Sequence, residues 1–484
     1  MMKSNTLVIV LVLVVAMSCA DDASLSRLND DPKNPTSGVP DELFFSNAQR
    51  NLVDVNSSID INFNIFRFLV QYASSPIYTQ ESQYNLQTRT IPGNYWFTLY
   101  RDVLRDFAAA REELNDPNLY STSDEIALRD NRLGIIQMLE VYTYAQLVDT
   151  FGNIPYTEAL DGDNITPAYD DAAMIYQDLI DKLDRAISEL DTNVESFGSA
   201  DLIYGGDILK WIKFGNSLKL KLAMTLADVD PSLSQTLAEQ AAPNVFESND
   251  DNAVLPYLAS PPNTNPLWED LVQSGRSDYF LANTIVDAMN ELEDPRRDVF
   301  FSNPIDGEFV GGEYAAGGDF DTTSHFGDVF AQPDLPGNIL DYTEVNFLLA
   351  DAAARGYNLG GTVEEYYNNA IRASFEYWGL TEADATAYLA NPDVAYATAE
   401  GDFKQKIGTQ MWIALFNRGT ESWLQYRRFD FPILNPAPQL TLEDIPVRYT
   451  YPIDEQNRNN ANREAAASAI GGDNLDTRLF WDLE

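Results

Sequence analysis

Carboxylates and aromatic rings are the chemistry this chain carries in quantity. It has 75 Asp and Glu against 31 Lys and Arg, and 25 Tyr, 25 Phe and 7 Trp. It has one histidine, His325, and one cysteine, Cys19. A Ser–His–Asp triad cannot form unless His325 serves it, and neither a disulfide nor a cysteine-built zinc site can form within the chain. No Gly-x-Ser-x-Gly elbow, Walker loop or EF-hand loop occurs. The pairs Gly311-Gly312 and Gly317-Gly318 follow no strand pattern and precede no basic helix start, so they read as turns and not as a phosphate cradle. Two carboxylates alone can hydrolyse a glycosidic bond, and loop carboxylates can hold Ca²⁺. The acids are spread along the chain and mark neither site. We therefore expect no catalytic residue and no cofactor, with Ca²⁺ ligation left open. The net charge of −44 opposes a nucleic-acid partner, whose backbone needs clustered Lys and Arg. It suits a solvated acidic surface in a saline habitat.

Aromatic platforms beside amide and carboxylate acceptors are what sugar rings require. The C–H face of the ring stacks on a π-surface and its hydroxyls take hydrogen bonds. Rings at helical spacing, such as Tyr142, Trp211, Phe214, Trp412 and Trp423, read as core. Rings in irregular stretches are the candidate ligand contacts: Tyr78, Tyr84, Tyr257, Trp268, Tyr314, Phe320 and Phe326.

These loops need a scaffold, and its centre is the stretch from Arg132 to Tyr156. Its apolar residues cover an arc much wider than a surface helix needs. Its polar residues, Gln137, Glu140, Thr143, Gln146 and Thr150, form one narrow stripe. Thr122 and Glu125 supply a capping box upstream, and Gly152 with Pro155 supplies the stop. Helical patterns also start near Asp41 and run from Trp96 to Leu114, from Ala172 to Leu190 and from Asp207 to Asp228. They return at Asp341, Val363, Thr381 and Phe403. The lysines Lys210, Lys213, Lys219 and Lys221 are expected to pair with nearby acids three or four residues away. The stretch 245–338 is rich in proline, glycine and irregular sequence. The expectation is an all-α protein: a helical scaffold over about 42–244 and 339–430, a loop-rich ligand-binding insertion at about 245–338, and an irregular C-terminal segment at 431–484. Together these make one domain, 42–484.

The first residues read as an address. Leu7 to Met17 is an apolar run of eleven residues, shorter than the about 20 that a membrane span needs, but suited to a secretory signal. Ala16-Met17-Ser18-Cys19 resembles the lipobox of bacterial lipoproteins, with Ala16 where leucine is commonest. Residues 1–18 are then a signal peptide, Cys19 the lipidated residue, and 19–41 a polar tether. Asp21 and Asp22 resemble the surface-export signal of Bacteroidetes lipoproteins.

Several stretches in order resemble the SusD/RagB-like outer-membrane nutrient-binding lipoproteins of Bacteroidetes. They are Asp31-Pro32-x-Asn34-Pro35-Thr36, Tyr144-x-x-Leu147-Val148-x-x-Phe151-Gly152-x-Ile154-Pro155-Tyr156, and Phe214-Gly215-Asn216-Ser217-Leu218. Asp341-Tyr342-x-Glu344-Val345-Asn346-Phe347, Ile407-Gly408-Thr409-Gln410-x-Trp412, Glu421-x-Trp423-x-x-Tyr426-Arg427-Arg428 and Pro446-x-Arg448-x-x-Tyr451-Pro452 complete the set. The resemblance implies a fold of four tetratricopeptide-like helix pairs with a loop-rich ligand-binding part. It implies a non-enzymatic, lipid-anchored, surface-exposed lipoprotein of the outer membrane. Such a lid captures a glycan and hands it to a SusC-like TonB-dependent transporter. Arg427, Arg428 and Arg448 are then expected to pin buried carboxylates such as Glu344 or Glu421. The expected ligand is a neutral marine polysaccharide such as a β-glucan. A peptide-binding lid of the same family is the nearer alternative, and a surface glycoside hydrolase the more distant one.

Overall fold

The computed structural model describes residues 39–116 and 119–483. The signal peptide, Cys19, Asp21, Asp22 and nearly all of the tether lie outside the described residues. The long helices are α1 (Asp41–Ser57), α2 (Arg105–Leu114), α3 (Ser123–Phe151), α4 (Ala172–Glu189), α5 (Ile208–Thr225) and α6 (Pro231–Ala241). They continue with α7 (Tyr342–Ala354), α8 (Val363–Tyr377), α9 (Phe403–Ala414), α10 (Gly419–Phe429) and α11 (Asn460–Ala469). Helices α3–α4, α5–α6, α7–α8 and α9–α10 pack as pairs, and successive pairs touch through α4–α5, α5–α7 and α7–α9. This is the expected stack of helix pairs. Helix α1 packs on α2 ahead of it.

Helix α3 is the centre of the stack, and its ends are set locally. Thr122 Oγ1 accepts from the Glu125 amide at 3.3 Å, and the Glu125 carboxylate accepts from the Thr122 amide at 2.9 Å. The helix stops at Gly152, whose φ of +85° suits glycine. From Ile135 to Phe151 every residue except Gln137 is buried, so the polar stripe is buried with the apolar arc. It is tolerated because each buried polar group has a partner. Thr143 and Thr150 donate to the carbonyls of Leu139 and Gln146, each at 2.7 Å. Gln146 donates to Asn56 at 2.9 Å, and Glu140 pairs with Arg111 at 2.8 Å. Tyr142, Trp211, Phe214, Trp412 and Trp423 are all core, as their spacing predicts.

The charged partners differ from the expectation. Helix α5 contains no Asp or Glu, so its lysines reach other elements. Lys219 pairs with Asp184 of α4 at 2.8 Å, and Lys213 with Glu247 and Asp251 at 2.7 and 2.9 Å. Lys210 donates to the Asp250 carbonyl at 2.7 Å. Lys221 is buried and ion-pairs with Glu421, with Glu344 at 3.6 Å. Arg418, not Arg427, Arg428 or Arg448, completes that cluster, 2.6 Å from Glu344 and 3.1 Å from Asp341. Arg427 instead donates to the carbonyls of Asp149 and Val447 at 2.7 and 2.8 Å. Arg428 holds Asp351 at 2.6 Å, and Arg448 holds Asp473 at 3.0 Å. Two cations thus serve three carboxylates. Burial drives Glu344 upward against the pull of Lys221 and Arg418. Burial also opposes the charge on Glu421, but Lys221 and Arg418 together hold it below the usual carboxylate range.

Two further differences are local. The segment after Phe431 contains the short helix Ile453–Arg458 and α11, which the many asparagines obscure; the Ala465-Ala466-Ala467 run is what makes α11 helical. Helix α6 lies outside the expected helical stretches, although Asp230 caps it and Pro231 occupies its first turn.

Three two-stranded antiparallel ladders organise the loops. Strand β2 (Ala253–Leu255) pairs with β6 (Gly337–Leu340) and closes the base of the loop-rich insertion. Strand β4 (Phe301–Ser302) pairs with β5 (His325–Phe326) inside it. Strand β1 (Ala73–Ser74) pairs with β3 (Phe280–Leu281). This last ladder fastens the loop after residue 74 to the insertion. Gly317 reinforces the join: it has φ +76°, a Cβ there would lie 3.0 Å from the Pro76 carbonyl, and the Gly318 amide donates to that carbonyl at 2.9 Å.

Candidate functional site

The β1–β3 join leaves a cleft of about 200 Å³ between the segments 60–62, 75–89 and 270–279. Its lining includes Tyr78 and Arg89, Arg276, Asp278 and Tyr279, and Asp60, Asn62 and Asp270. Tyr78 is 37% exposed. The Arg89 guanidinium lies 5.8 Å from the centre of its ring, a cation–π arrangement that fixes the ring's attitude. Arg89 is itself held by an ion pair from Nε to the buried Glu81 and by a 3.4 Å bond from Nη1 to Asn62 Oδ1. Asn94 donates to the Asn62 carbonyl at 2.7 Å and to the Arg89 carbonyl at 3.3 Å, tying the two loops together. The Tyr78 amide donates to the buried Ser75 Oγ at 3.0 Å. Asp60 Oδ1 accepts from the Asn62 amide and side chain at 2.9 and 2.7 Å. Arg276 pairs with Asp278 at 2.6 Å. A half-exposed phenol ring, two guanidinium groups, an amide and carboxylates thus face one groove.

Asp60 and Asp270 also line a second cleft of about 310 Å³. Asp270 is pushed up to about 7, first by burial and then by the charges of Asp60 and Glu269, against the Ser58 hydroxyl and Arg67. Asp54, which also lines the second cleft, is pushed up to about 6 by burial although the Tyr257 hydroxyl donates to it at 2.6 Å. Raised carboxylate pKa values mean that the folded protein holds these protons more tightly than the unfolded chain, so stability falls as pH rises from the ordinary carboxylate range of about 4 and levels off above about 7. Such an arrangement is a common mark of a functional cleft.

Of the ring residues marked from the sequence, Tyr78 lines the first cleft. Trp268 is half-buried beside Glu269 of the second cleft and is not part of its lining. Tyr84 and Tyr314 are buried where their loops cross: Gln83 donates to the Ala315 carbonyl at 3.0 Å, and the Ala315 amide donates to Ser74 at 3.1 Å. Tyr257 is buried and serves Asp54 through its hydroxyl. Phe326 is buried in β5 against Phe330 and Phe416, with ring centres 6.0 and 5.6 Å away. Phe320 stacks on His325 at 3.7 Å and lines neither cleft. Tyr84, Tyr257, Tyr314 and Phe326 are thus buried among the loops and line neither cleft. The groups the sequence reading missed are Phe63, Arg89, Asn62, Asp60 and Asp270. Phe63 is 43% exposed. Arginines in loops of so acidic a chain were the available signal. Among the described residues no group of three or more His, Cys, Asp and Glu is placed to hold a metal ion.

The family model for SusD-like proteins, described as starch-binding and associating with the outer membrane, matches residues 32–452. No curated protein matches the chain in sequence. A chitin-binding SusD homologue from Flavobacterium johnsoniae is similar in structure, with TM-score 0.78, 26% identity, and coverage of 92% of this chain and 99% of that one. A SusD homologue from Bacteroides uniformis gives TM-score 0.74 and 27% identity, covering 91% and 99%. A SusD-like protein from Bacteroidetes gives TM-score 0.79 at 24% identity, covering 92% and 100%. No helix among the described residues is long and apolar enough to cross a membrane.

Proposed function

Because the chain belongs to the SusD-like family of starch-binding proteins that associate with the outer membrane, we propose that it is a non-catalytic glycan-binding protein that captures oligosaccharide in the Tyr78–Arg89 cleft. The observation that carries this reading is the half-exposed Tyr78 ring held under Arg89 in a groove lined by Asn62, Asp60 and Asp270. The ring offers a face to a sugar's C–H surface. The guanidinium donates to hydroxyls, and the carboxylates and the amide accept from them. Starch, the glycan of the family, and chitin, bound by a homologue, carry no charge, and an acidic protein repels polyanions. The substrate is therefore a neutral glycan. A SusC-like TonB-dependent transporter receives it, and a lipid on Cys19 anchors the protein to the cell surface through the 19–41 tether, with Asp21 and Asp22 directing export.

Calorimetry on the protein lacking residues 1–19, against soluble β-glucan, α-glucan, chitin oligosaccharides, mannan, alginate and a peptide digest, tests this. Saturable binding of one neutral glycan without degradation is expected. Tyr78→Ala should weaken it about tenfold or more, the loss of about 1.5 kcal/mol of aromatic contact. Binding of peptides alone would keep the fold and replace the ligand, and release of reducing ends would make the protein a hydrolase. Cys19→Ala should move the full-length protein out of the membrane fraction; retention there would overturn the anchor.

A further inference from the structure

The second cleft is larger than the first and adjoins it, since Asp60 and Asp270 line both. Its volume of about 310 Å³ is that of a small-ligand pocket. Phe63 on its wall is 43% exposed, an apolar face that folding has left uncovered beside polar groups. Its other walls are unusual backbone. Thr98 and Asp102 come from the π-helical segment Thr98–Leu104, and Glu269 and Asp270 from the π-helical segment Glu269–Gln273. The wider π turn is rarely adopted and recurs at functional sites. Both such segments among the described residues line this one cleft.

The walls are anchored. Asn51 donates to the Asp102 carbonyl at 2.9 Å, and Thr264 donates to Glu269 Oε1 at 2.6 Å. None of the described lining residues carries positive charge. Arg101, which pairs with Asp102 at 2.6 Å, is exposed and is not part of the lining. A uronate or sulfate placed here would meet Asp54, Asp102 and Glu269 with no cation in the lining itself, whereas hydroxyls and ammonium groups find acceptors.

We propose that this cleft is a second saccharide subsite, continuous with the Tyr78 cleft, in which Phe63 stacks a further sugar ring that is uncharged or bears an amine. The proposal rests on the glycan-binding reading above. The protein then recognises a chain longer than two rings, and its preference for non-anionic glycans is set in this cleft.

The test is calorimetry with the full-length protein in detergent. Disaccharides and hexasaccharides of the α-glucan, β-1,3-glucan and chitin series are compared on the unaltered protein, Phe63→Ala and Tyr78→Ala. For the series that binds, Phe63→Ala should weaken the hexasaccharide at least tenfold and leave the disaccharide within twofold, while Tyr78→Ala weakens both. Circular dichroism of Phe63→Ala checks that the fold is kept. If Phe63→Ala leaves the hexasaccharide within twofold while Tyr78→Ala still weakens it, the second subsite is wrong and the glycan reading stands. If the unaltered protein binds no member of any series, the glycan reading fails and the subsite fails with it.

Discussion

Arg418→Met should lower the unfolding free energy by about 3–5 kcal/mol, the range for removing one partner of a buried ion pair. Arg418 is 6% exposed and is bonded to Glu344, which is fully buried, at 2.6 Å. It also pairs with Asp341 at 3.1 Å and donates to the Ile339 carbonyl at 2.7 Å. Without it, Lys221 alone faces Glu344 and Glu421, and Asp341 loses the cation it pairs with. One cation would then remain for this group of carboxylates inside the stack, next to the Tyr142 hydroxyl that donates to Glu421 at 2.8 Å. The loss should be large because the charge left behind is desolvated, not because the pair itself is strong. Arg418→Lys keeps the charge but loses the planar fork, and should recover part of the loss. Denaturant unfolding measures both variants. A change below about 1 kcal/mol in Arg418→Met, the size of a surface pair, would show that water reaches this cluster.

Arg89→Met should cost both stability and binding. Its partner Glu81 is 1% exposed, and Arg89 is partly exposed, so the stability loss should be about 2 kcal/mol, below that of a fully buried pair. Binding should fall further than in Tyr78→Ala. The same guanidinium steadies the Tyr78 ring, bonds Asn62 and Glu81, and lines the cleft. Arg89→Lys separates the two effects. An ammonium can neutralise Glu81 but cannot lie flat beside Tyr78 while donating in two directions. Its stability should stay within about 1 kcal/mol of the unaltered protein while glycan affinity falls about tenfold. Full affinity in Arg89→Lys would mean that only charge matters at this position.

The sequence by itself determined the features that depend on neighbours a few residues away. The Thr122–Glu125 box, the stop at Gly152 and the width of the apolar arc on α3 are local interactions, and each appears in the structure where the residues place it. The order of helical segments and family motifs was legible for the same reason. The partners of charged groups were not. Lys221 meets Glu344 and Glu421, which lie more than a hundred residues along the chain, and Arg427 meets carbonyls instead of acids. Which side chain a buried charge meets depends on which helices are brought together, and periodicity does not state that. The loops show the same division. Tyr78 and Tyr84 sit in one irregular stretch with similar surroundings in sequence, yet one ring lines a cleft and the other is covered by the crossing loop at Ala315. Asp60 and Asp270 line both clefts because the β1–β3 ladder draws their segments together. Exposure of a loop ring is decided by what folds over it, and only the tertiary structure holds that information.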